Sequence, residues 1–403
     1  MSLPTIPKVS SYALRQMKIT AIRATPVNIP YHNPARMSAG TSGHSTRTII
    51  EVETDAGLTG LGDASYAFAA DVIEREFAPA LLGLDPVAGG ELRRYCLPDH
   101  LDFGTPLLKA RLAAWGGMDI ALWDLRGKAE GLPLYELLGG IVREHAPFVS
   151  YSYSPPEAEH ASEWMSATAR KAIDLTGARI FEFKVGVHPL AVDIETIAGV
   201  HAALAGRAEV AVDANMALSY EAARTLLLEV GALLENFEEP VASLRQMEDL
   251  AVEFGVQTSA HCTDLDTLMA YPHVDAVPTL DACGGITGVR RLAQTLGALG
   301  RRVWVRSHAE SGIGWAAIVH LGMTTPELHR PAQSLMDLSA EDLVLGDRWD
   351  VRQGGVRAPA APGLGVALDR AALEACHELH REYGEVQAFA PPLKRAATMA
   401  AGR

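Results

Sequence analysis

From about residue 146 onwards, short apolar segments alternate with longer segments that are apolar on one face only. Leu190, Ile194 and Ile197, for example, recur at helical spacing. Alternation of this kind predicts parallel β-strands joined by α-helices. The predicted strands are Pro147–Tyr153, Arg179–Val185, Glu209–Asp213, Leu233–Glu238, Val256–His261, Ala276–Leu280 and Arg302–His308, with a weaker eighth near Glu327–Leu335. Seven or eight such units fit one closed barrel better than an open doubly wound sheet.

The first 145 residues have a different pattern of apolar and polar positions. Residues 17–30 and 47–54 are rich in β-branched side chains and predict strands, whereas Tyr31–His44, full of proline, glycine and serine, predicts a loop. Trp115, Met118, Leu122 and Leu125 recur at helical spacing and predict a buried helix. We therefore expect a separate α+β unit here, against which the final helix of the chain packs.

Composition narrows the classes of function. The chain has 403 residues, 48% of them hydrophobic, which suffices for a large core and a second, smaller one. A net charge of -14 disfavours binding to nucleic acid or to anionic membranes. No GxGxxG or Walker loop opens a helix, and the four cysteines form no CxxC pair. Because no apolar run resembles a signal peptide or a membrane span, we expect a cytoplasmic protein.

Ionisable residues stand at the ends of successive predicted strands: Lys184, Asp213, Glu238 with Glu239, His261 and His308. The carboxyl ends of strands are where barrel enzymes carry their catalytic groups. Burying so many charges at one mouth is costly unless they pair or bind a metal. Carboxylates on consecutive strands can hold a hard divalent cation, beside which a lysine would have a lowered pKa. The pattern predicts metal-assisted removal of the proton next to a carboxyl group, with stabilisation of the resulting enolate.

Several segments carry a resemblance to a known family, and they occur in its order along nearly the whole chain. These are MDIALWDLRGKAEGLPLYELLGG, FKVG, VDANMALS, FEEP, GGITG, RSHAESGIG and PGLGVALD. Together they resemble the enolase superfamily, in its mandelate racemase/muconate lactonizing branch. The resemblance implies a modified (β/α)8 TIM-type barrel, here residues 146–365. It also implies an α+β capping domain, here residues 1–145 completed by residues 366–403.

The resemblance also implies roles for individual residues. Asp213, Glu238 and His261 correspond to ligands of Mg²⁺ (or of Mn²⁺ or another divalent cation), and Lys184 and His308 correspond to bases on opposite faces of the substrate. The spacing from FEEP to TSAH is most similar to the glucarate-dehydratase type, whose third ligand is an amide. Five residues are expected to contact the substrate: Tyr31, His32 and Arg36 of the family's specificity loop, here around Tyr31–Gly43, together with Asn215 and Glu310. Glu310 is alternatively expected to support His308.

The first departure from the family pattern concerns its Lys-x-Lys motif, which here reads Glu182-Phe183-Lys184. Residues i and i+2 share one face of a strand, so Glu182 should point the same way as Lys184. A neighbouring carboxylate would raise the pKa of the lysine and make it a poorer base. Alternatively, Glu182 itself could shuttle protons.

Two further departures concern the histidines. Thr279 stands where the family has the aspartate that orients the catalytic histidine, and Asp281, two residues on, could replace it. His261 is an unusual ligand for Mg²⁺ and suits Mn²⁺, Fe²⁺ or Zn²⁺ better. Asp264 is therefore an alternative third ligand.

Three functions remain compatible with this pattern. The favoured one is an acid-sugar dehydratase, in which Lys184 takes the α-proton and His308 protonates the departing β-hydroxyl. The second is a racemase, epimerase or cycloisomerase that uses the two bases differently. The third is a non-catalytic relative that binds a carboxylate or another protein. For an enzyme we expect a small carboxylate as substrate and a homo-oligomer as the assembled form.

Overall fold

The computed structural model describes residues 17–97, 106–333, 335–346, 349 and 351–385. Parts of the predicted capping domain (residues 1–16 and 386–403) lie outside the described residues, as does residue 334 of the weak eighth strand. The described chain forms an antiparallel sheet with helices, followed by a ring of parallel strands surrounded by helices. None of the described helices combines the length and the apolar character needed to cross a membrane.

The antiparallel sheet has the order β1 (Ile19–Met37), β2 (Gly40–Thr54) and β3 (Thr59–Ser65). The prediction of a loop at Tyr31–His44 is wrong, because β1 and β2 form one long hairpin that pairs as far as Met37 opposite Gly40. Pairing is irregular between Ile19 and Ala21 and, at the start of the predicted loop, between Pro30 and Ala35. A bulge at that point accommodates the prolines, which lack a backbone donor, and lets the hairpin continue over the barrel.

The helices of this first unit include the buried helix that the sequence predicts. Trp115, Met118, Leu122 and Leu125 are each at most 4% exposed. They lie in the helix Pro106–Glu130, which packs closely on β3. The helices are α1 (Phe68–Val72), α2 (Ala78–Leu81), α3 (Gly89–Cys96), α4 (Pro106–Glu130) and α5 (Leu134–Leu137), with a π-helical turn at Ile73–Phe77 and a 3-10 turn at Pro86–Ala88.

Six strands form a continuous parallel sheet in chain order, and short bridges close it into a ring. Ala276 pairs with Val303, Val303 with Leu328, and Phe148 with Ala332. The closed barrel that the sequence predicts is thus confirmed. The sheet contains β5 (Ser150–Ser152), β6 (Ile180–Lys184), β7 (Glu209–Asp213), β8 (Leu234–Glu238), β9 (Thr258–Ala260) and β10 (Val274–Ala276), while β4 (Ala146–Pro147) pairs with β11 (Gly355–Val356).

Two predicted strands are much shorter in the structure. The segment Ala276–Leu280 leaves the sheet at Ala276, since Pro278 lacks a donor and the Thr279 hydroxyl accepts from Ala282 N to begin a short helix. In the segment Arg302–His308, only Val303 forms a bridge. The remainder is irregular and carries Arg306 and His308 to the barrel mouth.

Eight helices accompany the barrel in the described chain: α6 (Ala161–Thr176), α7 (Leu190–Leu204), α8 (Tyr220–Val230), α9 (Leu244–Phe254), α10 (Leu265–Ala270), α11 (Leu280–Cys283), α12 (Ile286–Ala298) and α13 (Gly312–Thr324). The last helix, α14 (Arg370–Tyr383), returns to the first unit. Its His377 Nδ1 lies 2.7 Å from Pro26 O, and its Arg370 pairs with Glu51. The C-terminal helix therefore completes the cap.

Candidate active site

Three buried ionisable side chains stand in a row at the carboxyl edge of the barrel. Lys184 ends β6, Asp213 ends β7 and Glu238 ends β8. The strand register places Lys184 opposite Asp213 and Asp213 opposite Glu238. All three are at most 2% exposed, and Lys184 Nζ forms a hydrogen-bonded ion pair with Asp213 Oδ2. The parallel sheet itself thus brings these predicted site residues together.

The electrostatics of this row depend on burial and on nearby charges. Burial lowers the pKa of Lys184, and the positive charge of Arg306 lowers it further, whereas Asp213 opposes both effects. Burial alone would raise the pKa of Asp213, but the charges of Lys184 and Arg306 bring it below its usual range. Asp213 is therefore a carboxylate at neutral pH, and Lys184 loses its proton more readily than an ordinary lysine.

Asn215 holds the Asp213 carboxylate in place. Its backbone N donates to Asp213 Oδ1 over 2.8 Å, and its Nδ2 donates to Oδ2 over 3.3 Å. Asn215 has a positive φ of 46°, as do several other non-glycine residues at the mouth: Tyr66, Met216, Glu239 and Ala309. Such backbone conformations are costly and gather at functional sites. The site is thus prearranged by its backbone.

His261 follows β9 and contacts Glu238, the last residue of the row Lys184, Asp213 and Glu238. Its Nε2 lies 3.1 Å from Glu238 Oε1, and its Nδ1 lies 2.9 Å from Glu239 Oε1. Burial and Arg306 lower the pKa of His261, but the two carboxylates outweigh them and raise it. Asp264 instead accepts from Thr267 N over 2.9 Å and caps α10. The structure thus groups His261 with Asp213, Glu238 and Glu239, here called the acid cluster. Asp264 instead caps a helix.

An arginine that the sequence argument overlooked lies inside this cluster. Arg306 Nε is 3.5 Å from Glu238 Oε1, and Nη2 is 3.5 Å from Asp213 Oδ2. Nη1 contacts His261, and Nε donates to Gln333 Oε1 over 3.2 Å. The side chain is only 18% exposed. A signal existed in the sequence, because Arg306 precedes His308 by two residues at the end of a predicted strand.

His308 follows the Val303 segment, on a different side of the barrel ring from Lys184. Its Nδ1 is 3.3 Å from Asp281 Oδ2 and 3.2 Å from Ser65 Oγ, which leaves Nε2 as the nitrogen that can exchange a proton with a substrate. Burial would raise the pKa of Asp281, but His308 and further hydrogen bonds hold it well below its usual range. The structure thus pairs Asp281 with the histidine, although Asp281 lies in helix α11 rather than on a strand, and Thr279 caps that helix.

The cap holds the histidine loop through a buried ion pair that the sequence argument also missed. Arg47 Nη1 donates to His308 O over 3.0 Å, and Arg47 Nε donates to Asp63 Oδ1 over 2.8 Å. Asp63 Oδ2 in turn accepts from Ser311 N over 2.8 Å. Glu310 accepts from His308 N over 2.9 Å and from Ser307 Oγ. Glu310 therefore shapes the loop that presents the histidine.

The residues predicted to contact substrate from the hairpin have different surroundings. Burial raises the pKa of Tyr31 to about 12, and its neighbours include Ser45 and Glu310. His32 is exposed. Arg36 is half-buried and lines a cavity of about 510 Å³ together with Tyr151 and Tyr153. The Tyr151 ring lies 6.0 Å from Lys184 Nζ, but the residues that line this cavity do not include Lys184, Asp213 or Glu238.

Glu182 does not meet Lys184 as the sequence suggested. Its Oε2 accepts from Arg330 Nη2 over 2.8 Å, and its Oε1 accepts from Gln333 Nε2 over 2.7 Å. Arg330 also pairs with Glu235 at 3.0 Å. Although Glu182 and Lys184 share a strand face, the carboxylate belongs to this buried group inside the barrel. The partners of Glu182 are therefore Arg330 and Gln333, and proton shuttling by Glu182 stays a prediction.

Comparisons with known families agree with this geometry. Residues 18–139 match the mandelate racemase/muconate lactonizing enzyme N-terminal domain, and residues 164–372 match the enolase C-terminal domain-like family. The chain belongs to the mandelate racemase/muconate lactonizing branch of the enolase superfamily. It is accordingly an enzyme of that superfamily, and the hypothesis of a non-catalytic relative is not favoured.

Individual relatives differ in the reaction they catalyse. The chain is 30% identical to a probable glucarate dehydratase of Streptomyces coelicolor, across 90% of this chain and 92% of the relative. It is 26% identical to a chloromuconate cycloisomerase of Pseudomonas putida, across 88% and 97%. An enolase from Pseudomonas fluorescens with bound magnesium, potassium and tartrate is 25% identical, with a TM-score of 0.83 over 96% of this chain and 98% of that one.

The acid cluster can be tested for its fit to a divalent cation. Neither carboxylate oxygen of the buried Glu238 accepts a hydrogen bond of normal geometry, although His261 Nε2 lies 3.1 Å from Oε1, and oxygen ligands are those that Mg²⁺ prefers. Within the described chain, no three histidine, cysteine, aspartate or glutamate side chains are already spaced around one ion. Asp213, Glu238 and His261 converge on the Arg306 guanidinium instead. The donor atoms thus suit a divalent cation, provided that Arg306 withdraws.

Proposed function

We propose that this enzyme removes the α-proton of a small hydroxy carboxylate and then eliminates the β-hydroxyl, as an acid-sugar dehydratase does. The observation that carries the proposal is the placement of two proton-transfer groups around one mouth. Lys184 ends β6, and His308 follows the Val303 segment on a different side of the barrel ring. A substrate between them would meet a base on one side and an acid on the other.

In the first step, the neutral Lys184 amine takes the α-proton, and the electron pair of that bond moves into the substrate carboxylate as an enolate. Burial and the charge of Arg306 both favour the neutral amine. Asp213 and Glu238, with His261 as the third candidate ligand, would hold a Mg²⁺ or another divalent cation. When bound, that ion supplies positive charge for the substrate carboxylate and the enolate.

In the second step, His308 Nε2 gives a proton to the β-hydroxyl, which leaves as water. The electron pair of the enolate forms the new double bond, and the resulting enol becomes a 2-keto-3-deoxy acid. Asp281, 3.3 Å from His308 Nδ1, stabilises the imidazolium before this transfer and fixes the ring. The similarity to a probable glucarate dehydratase supports this order of events.

Racemisation, epimerisation or cycloisomerisation is the second candidate. Two bases on different sides of the mouth suit the exchange of a proton between substrate faces, and one relative is a cycloisomerase. In that case His308 would return a proton to the α-carbon, and no water would be lost. The first step, α-proton removal by Lys184, is common to both candidates.

An exchange assay in deuterated water tests the proposal. Acid sugars and other hydroxy acids are incubated with the enzyme and Mg²⁺ or Mn²⁺. The deuterium on the α-carbon of the recovered substrate and the amount of 2-keto-3-deoxy acid formed are then measured. We expect both with an acid sugar, and a loss of exchange of about 10²–10⁴-fold in Lys184→Ala. Exchange with an epimer and no keto acid would favour the second candidate. Undiminished exchange in Lys184→Ala would contradict the assignment of the base.

A further inference from the structure

The Arg306 guanidinium lies among the three candidate ligands of the divalent cation. It reaches from the segment before His308 across the mouth to the ends of β7 and β8. It lies 3.5 Å from both Asp213 Oδ2 and Glu238 Oε1, and its Nη1 contacts His261. These three residues are the candidate ligands of the divalent cation. Arg306 and a cation therefore face the same donor atoms.

The acid cluster needs a positive charge at this point. Buried carboxylates are costly without a counter-charge, and Glu238 Oε1 has His261 Nε2 at 3.1 Å and Arg306 Nε at 3.5 Å. Lys184 is already paired with Asp213. Arg330 is committed to Glu182 and Glu235 within the barrel. Arg306 is thus the arginine that balances Glu238 in the described part of the site.

We propose that Arg306 is the resident counter-ion of Asp213 and Glu238 and competes with a divalent cation for them. The inference rests on the ligand assignment of the proposed function. A cation bound to both carboxylates would stand about 2 Å from their oxygens. The guanidinium, itself 3.5 Å from the same oxygens, would then repel it at short range. Metal binding accordingly requires Arg306 to move, which weakens the affinity for the metal.

Calorimetric titration with Mn²⁺ tests this competition without reference to turnover. We compare the wild-type enzyme with Arg306→Gln, which removes the charge but retains hydrogen-bonding groups. The affinity of Arg306→Gln should be tighter by about tenfold or more, equivalent to roughly 1.4 kcal/mol. Arg302→Gln is the matched control, because Arg302 lies four residues away, is 48% exposed and pairs with Asp275. Its affinity should equal that of the wild type.

Thermal unfolding gives a second measurement and reports whether the variants fold. With a chelator present, Arg306→Gln should unfold at a lower temperature than the wild type, because Glu238 loses its counter-charge. Added Mn²⁺ should then raise its unfolding temperature by more than it raises that of the wild type, since tighter binding to the folded state stabilises it more. Arg306→Met, also uncharged, should behave in the same way.

The outcomes separate this inference from the proposed function. Equal or weaker Mn²⁺ affinity in both Arg306 variants, with binding abolished in Asp213→Asn, would overturn the competition and leave the ligand assignment intact. Binding that survives in Asp213→Asn, or that is absent from both the wild type and the Arg306 variants, would overturn the ligand assignment and this inference together. Tighter binding in both variants, lost again when Asp213→Asn is added, would support both.

Discussion

Glu182 shows how one substitution within a familiar motif changes its partners. In the sequence it stands two residues before Lys184, where a carboxylate would raise the pKa of the lysine. In the folded barrel it accepts hydrogen bonds from Arg330 and Gln333 instead. The charge it adds is balanced by Arg330, which is 148 residues away in the sequence. We therefore expect Glu182 to support stability more than proton transfer.

Glu182→Gln should leave the lysine-dependent arm of the pH–rate profile in place and destabilise the fold. Because Arg330 keeps Glu235 as a partner, we expect a loss of about 1–3 kcal/mol, less than the roughly 3–5 kcal/mol for a fully broken buried pair. Urea unfolding measures the loss. Glu235→Gln, at a more exposed carboxylate of the same group (16% against 0%), should cost less. A clear shift of the lysine-dependent arm to lower pH would instead support an interaction between Glu182 and Lys184, as the sequence suggested.

At the scale of elements, the hairpin and α4 determine how the cap meets the barrel mouth. The long β1–β2 hairpin carries Tyr31 and Arg36 over the site, and β2 and β3 provide Arg47, Asp63 and Ser65 beside His308. These positions depend on β3 lying very close to α4. Glycine on both elements makes that approach feasible.

Gly62→Ala tests the close packing of β3 on α4. A Cβ at Gly62 would lie 2.1 Å from Gly117 O and 3.1 Å from the Ala121 Cβ, so the helix and the strand must move apart. We expect a loss of about 1–3 kcal/mol in the free energy of unfolding, as is typical of overpacking. Gly57→Ala is the control, since its Cβ meets nothing within 4 Å and only its positive φ of 73° adds strain. Equal losses in the two variants would argue against a steric role for Gly62.

At the scale of the whole molecule, the cap and the barrel are joined by buried polar contacts as well as by apolar packing. Asp119 on α4 accepts from Thr287 N over 2.9 Å and from Thr287 Oγ1 over 2.7 Å, at the start of α12. Burial raises the pKa of Asp119 to about 6 despite these hydrogen bonds. The contact between the two units should therefore depend on pH. The homo-oligomer and the cytoplasmic location stay predictions.

Asp119→Asn should reveal this dependence. The folded-state pKa lies above the ordinary value of 3.8, so between these two values the folded protein binds more protons than the unfolded chain. The contribution of Asp119 to stability is thus complete at about pH 4 and falls as the pH rises through about 6. The variant should gain about 1–3 kcal/mol relative to the wild type between pH 4 and 7, at 1.36 kcal/mol for each unit of pKa. The free energy of unfolding of both proteins is measured with urea across this pH range. A constant difference between the two proteins at every pH would contradict a raised pKa of Asp119.

The sequence by itself determined the barrel, the cap and the row of Lys184, Asp213 and Glu238. These follow from local patterns, because alternating apolar segments specify parallel strands, and the ends of such strands meet at one edge. The pairing of His308 with Asp281 could also be anticipated, although the strand expected there ends at Ala276. The hairpin through residues 31–44 could not, since its pairing depends on a partner strand rather than on local composition.

Tertiary structure alone decided how the charges pair. Arg330 with Glu182, Arg47 with His308, and Arg306 with Asp213 and Glu238 all join segments far apart in the chain. Nothing in local sequence specifies such partners, because burial requires each charge to find an opposite one wherever the fold provides it. For this enzyme, the tertiary structure therefore decides whether Glu182 contacts Lys184. It also decides whether Arg306 lies at the candidate metal site.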